Sequence, residues 1–149
     1  MLKKMNKKHI AAVFFIGYLA LLVFVTLLTH NYYTYGKSSN LILFSSIRLM
    51  LRSGDSMLIM KNIGGNVMLF LPLGFLLPML IQVKRRLVIR QLILGFCISL
   101  FIELCQYFFA ERIFDIDDVL LNTIGAMIGW GCYVLIRFCR HKLIVFYTK

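Results

Sequence analysis

The chain has 149 residues, 60% of them hydrophobic and 15% charged, with a mean hydropathy of +0.83. These proportions exclude a water-soluble globule and point to a bilayer as the solvent, because apolar runs of about 18 or more residues are long enough to span one. The 17 Lys and Arg against six Asp and Glu leave a net charge of +11, but the bases gather in short segments between apolar runs, so they imply an anionic lipid surface and no nucleic acid.

In chain order, Lys3, Lys4, Lys7 and Lys8 precede an uncharged run from Ile10 to Leu28. The run exceeds a usual signal-peptide core and no A-x-A-like site follows it before His30, so it is expected to be a retained first span with the N-terminus in the cytoplasm. The Ser, Gly and Asn of residues 36–40 mark a loop. Residues 40–52 are too few to cross a bilayer but are patterned: Leu43, Phe44, Ile47, Met50 and Leu51 share one helical face, and Ser45, Arg48 and Arg52 another. This predicts a short amphipathic helix in the outer interface, although a loop helix packed on the bundle has the same pattern.

Further spans are predicted over residues 63–83, 88–109 and 119–136. The turn between the second and third carries Lys84, Arg85, Arg86 and Arg90, and the fourth is followed by Arg137, Arg140, His141 and Lys142. With both termini and this turn inside, the inner segments hold 12 bases and no acid, and the outer side holds five bases and all six acids. The fold class is therefore an all-α integral membrane protein with four transmembrane helices, both ends cytoplasmic, in one domain over residues 1–149. Cys97, Cys105, Cys132 and Cys139 form no CxxC pair and are expected to be free, small apolar side chains.

Polar residues inside apolar runs carry the functional information, since an ionisable group in lipid needs a partner, a cavity or water. Glu103 lies six residues before the end of the third run, on a stripe with Ser99, Gln106 and Ala110. The plain alternative is an interhelical hydrogen-bond seam, worth on the order of 1 kcal/mol per contact. At the mouth of the fourth run, Asp115 and Asp118 have the spacing of a helix N-cap and its third position. Capping does not explain Asp117 beside them. Asp118, Asn122, Gly125 and Gly129 share one stripe, the last two forming a GxxxG that could serve homo-oligomer contact. Asn62 and Asn66 are i, i+4 partners at the matching end of the second span, where Pro72 and Pro78 further along predict packing kinks.

Glu103, Asp117 and Asp118 are the candidates for acid–base chemistry. Asn62, Asn66, Gln106, Asp115 and Asn122 are candidate binding residues, and Arg48 and Arg112 are the nearest outer cations, suited to a phosphate or to neutralising the acids. No Ser-His-Asp order, P-loop, dinucleotide fingerprint or HExxH is present, so no zinc site and no cofactor are expected, and no loop spacing supports magnesium or calcium.

Four motifs together resemble the VanZ-like family: Asn40-Leu41-Ile42 with Phe44; the run from Asn62 through Gly64-Gly65-Asn66 to Leu71-Pro72-Leu73-Gly74-Phe75; Glu103 with Gln106; and Asp115-Ile116-Asp117-Asp118-Val119 with Asn122-Thr123 and Gly125. The match runs from about Asn40 to Gly129. Leu43 stands where the family usually has proline, and the tail after Lys142 is too short for the extra C-terminal span of some members. The resemblance implies a bacterial cytoplasmic-membrane protein that lowers sensitivity to the lipoglycopeptide teicoplanin, and it carries over Asn66, Glu103, Gln106, Asp115, Asp117, Asp118 and Asn122. Three functions are consistent with these residues: an outer-leaflet polar pocket for a lipid-linked cell-wall intermediate or the lipid-bearing antibiotic, with membrane lipid as partner; a membrane hydrolase or transferase using paired carboxylates; and a non-catalytic oligomerising or scaffold bundle.

Overall fold

The computed structural model describes residues 7–28, 38–81, 88–110 and 112–147. The Lys3–Lys4 segment, the loop before Ser38, the Lys84–Arg86 turn and Glu111 lie outside them. Helix α1 (Lys7–Val23) runs into a π turn, Phe24–Leu28. Then follow β1 (Ser39–Asn40), α2 (Ser45–Ser53), α3 (Ser56–Ile59), a second π turn (Met60–Gly64), α4 (Gly65–Ile81), α5 (Val88–Phe109), β2 (Phe114–Asp115) and α6 (Ile116–Tyr147).

Four segments are long and apolar enough to cross a membrane: His9–Leu27, Ser56–Ile81, Val88–Phe109 and Ile116–Arg140. The second starts earlier than the apolar run alone predicts. Asp55 accepts the amides of Met57 and Leu58 and caps the helix there, so Lys61 and Asn62 fall within it. The fourth starts three residues before its apolar run and its helix continues to Tyr147. Both prolines of α4 sit within an unbroken helical segment, Pro78 fully buried.

The central contact is between α4 and α6, with α1 against α4 and α5 against α6. Gly125 lies on the Val67 carbonyl, Gly129 on the Leu71 carbonyl, and Phe75 packs edge-on against Tyr133 with ring centroids 6.2 Å apart. Successive contacts advance by four residues on both helices, so the pair runs parallel, and the absent side chains let the backbones touch. The GxxxG face considered for a second copy of the chain is thus filled by α4 of the same chain. In return, Gly74 of α4 meets the Ala126 backbone, and a Cβ on Gly95 of α5 would stand 3.1 Å from the Ala126 Cβ. Three helices therefore meet at Ala126, which is fully buried in the core with Tyr18, Leu22, Phe70 and Leu73.

Helix α5 is inverted relative to a soluble helix. Its buried residues are Gln91, Gly95, Ser99, Glu103 and Gln106, none of them a large apolar side chain. Ile89, Ile93, Phe101 and Phe108 are exposed on the outside of the bundle, as expected where lipid is the solvent. All four cysteines are free.

Candidate functional site

The polar residues singled out above converge at the end of the bundle that carries α2, but they divide into separate constellations. The first joins α2 to the mouth of α6. Residues Ser39 and Asn40 pair in parallel with Phe114 and Asp115. Asp115 precedes α6 and accepts the Asp117 amide at 2.9 Å, the N-cap expected of it. Its other oxygen takes the Ser46 hydroxyl, and Asn40 donates to both Asp115 and Ser46.

Asp117, the aspartate that capping of its own helix leaves unexplained, caps a different helix. Its carboxylate accepts the backbone amides of Phe44 at 2.6 Å, Ser46 at 2.9 Å and Ile47 at 3.2 Å. These are donors at the start of α2, which Phe44 cannot satisfy with its own side chain. The burial of a carboxylate that is 0% exposed is offset by this set of amides and by the positive end of the α2 dipole. Phe44 has φ 64°, the left-handed region that an aromatic residue rarely adopts. The turn that this creates starts the helix at Ser45, so Leu43 and Phe44 do not continue the apolar face expected for residues 40–52. On α2 itself Ile47 and Met50 are half-buried, while Arg48, Leu49, Leu51 and Arg52 are exposed.

The second constellation lies among α4, α5 and α6. The Asn66 side-chain amide donates to Asp118 at 2.5 Å. Glu103 is 3% exposed, lies close to the Asp115 backbone, and is within electrostatic reach of Asp118 and Arg112. Its Oε2 has no hydrogen-bond partner among the described residues, and neither has the Asn122 Oδ1, also 3% exposed. Ser99, one helical turn away, makes only a long contact of 3.5 Å with the Val119 carbonyl. Two buried oxygens without a donor among the described residues are unusual in a folded protein.

The third constellation fastens α1 to α5. Gln106 donates to the Thr26 carbonyl at 3.1 Å, and Arg112 reaches the same oxygen at 3.4 Å. Thr26 sits in the first π turn, whose wider ladder displaces carbonyls from their usual partners. Gln106 thus links α5 to the π turn that follows α1.

Asn62 does not join Asn66. It bonds back to the Leu58 carbonyl at 2.9 Å, because the π turn Met60–Gly64 between them shifts the face that an i, i+4 spacing would share. Arg48 is exposed on α2. Among the described residues no three His, Cys, Asp or Glu side chains come together to hold a metal ion. The sequence marks Asn40 only as part of a motif and does not single out Ser46 or Thr26; each has a partner 69 or more residues away, and Gln91, a buried amide at the far end of α5, is not anticipated either.

A family model described as VanZ/LLP1 matches residues 15–137. Comparison with curated proteins and with solved structures gave no match. The chain belongs to the VanZ/LLP1 family, in keeping with the motifs on which the resemblance was founded.

Proposed function

Taking the chain as a VanZ/LLP1 membrane protein, we propose that it lowers bacterial sensitivity to lipoglycopeptides of the teicoplanin type by holding the polar part of a lipid-linked or lipid-bearing envelope molecule. The site is the α2 end of the bundle, placed in the outer leaflet of the cytoplasmic membrane with both termini inside, as the distribution of basic residues favours. The carrying observation is the pair of buried, donorless acceptors on Glu103 and Asn122, beside the Asn66–Asp118 bond. Hydroxyls or amides of a bound headgroup would satisfy them, and the lipid part would lie along the apolar exterior of the helices. Arg48 and Arg52, exposed on α2, are placed for a phosphate near the interface.

The test is drug sensitivity of cells carrying Glu103→Gln or Asp118→Asn at normal membrane levels, beside the exterior control Phe101→Leu. Both variants are expected to lose protection against teicoplanin and the control to keep it; equal protection by all three would refute the proposal.

A second reading, acid–base catalysis on an envelope lipid, is favoured by the proximity of Glu103 and Asp118. It excludes Asp117, whose oxygens are occupied by α2 amides. Turnover of a lipid-linked precursor by purified protein, abolished in Glu103→Gln, would select it.

A further inference from the structure

A second unsatisfied polar site lies at the opposite end of the same helix. Gln91 is 1% exposed, and neither its Nε2 nor its Oε1 has a hydrogen-bond partner among the described residues. It stands on the buried face of α5, twelve residues from Glu103, about 18 Å along the axis. An amide left bare in a bilayer is strongly disfavoured, and a charged ligand would suit it no better, since the group offers one neutral donor face and one neutral acceptor face. Water matches both.

The opposing helix has a feature of its own. Pro78, fully buried in α4, has no amide to give the Gly74 carbonyl, which in a normal helix would receive it. Helix carbonyls point toward the C-terminus. Gly74 and Gly95 both abut Ala126, and Gln91 stands one turn before Gly95 on the buried face of α5. Buried waters pair with polar side-chain atoms of the kind that Gln91 presents.

Between the two polar sites three helices are drawn together. Gly74, Gly95 and Ala126 bring α4, α5 and α6 into contact, with backbone against backbone at Gly74 and little more than a van der Waals gap at Gly95. We propose that the bundle is hydrated separately from its two ends, with a second, termini-side water site held by Gln91, and that the Ala126 layer is the seal between them. Water then reaches the protein interior from both sides of the membrane and is stopped by one layer of small residues. Nothing in this depends on what the Glu103 end binds.

The first measurement uses the unaltered protein in lipid nanodiscs: water-to-protein NMR transfer to the Gln91 side-chain amide. A cross-peak to a long-lived water is expected, and a Gln91 amide with no water contact would overturn the proposal. The second uses a background with the four native cysteines replaced by alanine and single substitutions Gln91→Cys, Asn122→Cys and Ala126→Cys in oriented vesicles. The probe is a trimethylammonium methanethiosulfonate that does not cross bilayers. Gln91→Cys should react from the termini side and Asn122→Cys from the α2 side, each roughly tenfold or more faster than Ala126→Cys from either. Gln91→Cys as slow as Ala126→Cys in folded protein, or reached only from the α2 side, would overturn it. If that variant does not fold, the nanodisc measurement on the native chain decides.

Discussion

Asp117 and Asp118 are neighbours in the chain, yet they belong to two regions with opposite hydrogen-bond balances. Around Asp117 every acceptor is used: its carboxylate takes three amides of the α2 start, and Asp115 takes Ser46, Asn40 and the Asp117 amide. Around Asp118, Asn66 donates to one carboxylate oxygen, and Glu103 and Asn122 each bury an oxygen without a donor among the described residues. A run of acids that looks like one site is therefore a fastening on one side and an incompletely paired cluster on the other. Burial alone does not separate them, since Asp117 and Glu103 are both deeply buried. Accounting for each oxygen does.

This contrast is open to a direct challenge by substitution. The largest effect is expected for Asp117→Ala, which strips three amides of their acceptor. Loss of charge-assisted bonds of this kind should destabilise by about 3–5 kcal/mol, measured as a fall in midpoint of detergent unfolding and as new protease cleavage between Asn40 and Ser56. Unchanged protection of that segment would show that α2 does not need its remote cap. Asn122→Leu should act in the opposite direction. Replacing a buried donorless amide by an apolar side chain of similar volume is expected to be neutral or stabilising by about 1 kcal/mol while drug protection is lost; a large destabilisation would place Asn122 with the fastening. The smallest change is expected for Ser46→Ala, about 1 kcal/mol of stability with protection retained, since Asp117 still holds the adjacent amide.

Much of this was within reach of sequence, for physical reasons that can be named. Apolar runs broken by basic turns locate four spans because lipid tolerates little else, and the stripe Ser99, Glu103, Gln106 is buried on α5 as its spacing predicts. Asp115 caps α6 because capping is local. What escapes is non-local or depends on departures from the ideal helix. The partners of Asp117 are backbone amides about 70 residues away, and an amide leaves no mark in the residue alphabet. The two π turns separate Asn62 from Asn66 and turn the Thr26 carbonyl toward Gln106; the first has neither proline nor glycine in it, and the Gly64-Gly65 pair that ends the second does not by itself specify a wider turn. The left-handed Phe44 ends the apolar face that periodicity extends through it.

The contact between α4 and α6 places its demands unequally on the two helices. Gly125 and Gly129 rest on the carbonyls of Val67 and Leu71, groups that every amino acid possesses. Selection at those α6 positions is consequently strict, because any β-carbon would strike main chain that cannot rotate away. On α4 only Gly74, against the Ala126 main chain, is held as strictly, and positions 67 and 71 can drift among apolar side chains without disturbing the join. A deep mutational scan should find this as intolerance at 125 and 129 beside permissiveness at 67 and 71, the imprint of a lock whose keyhole is plain peptide.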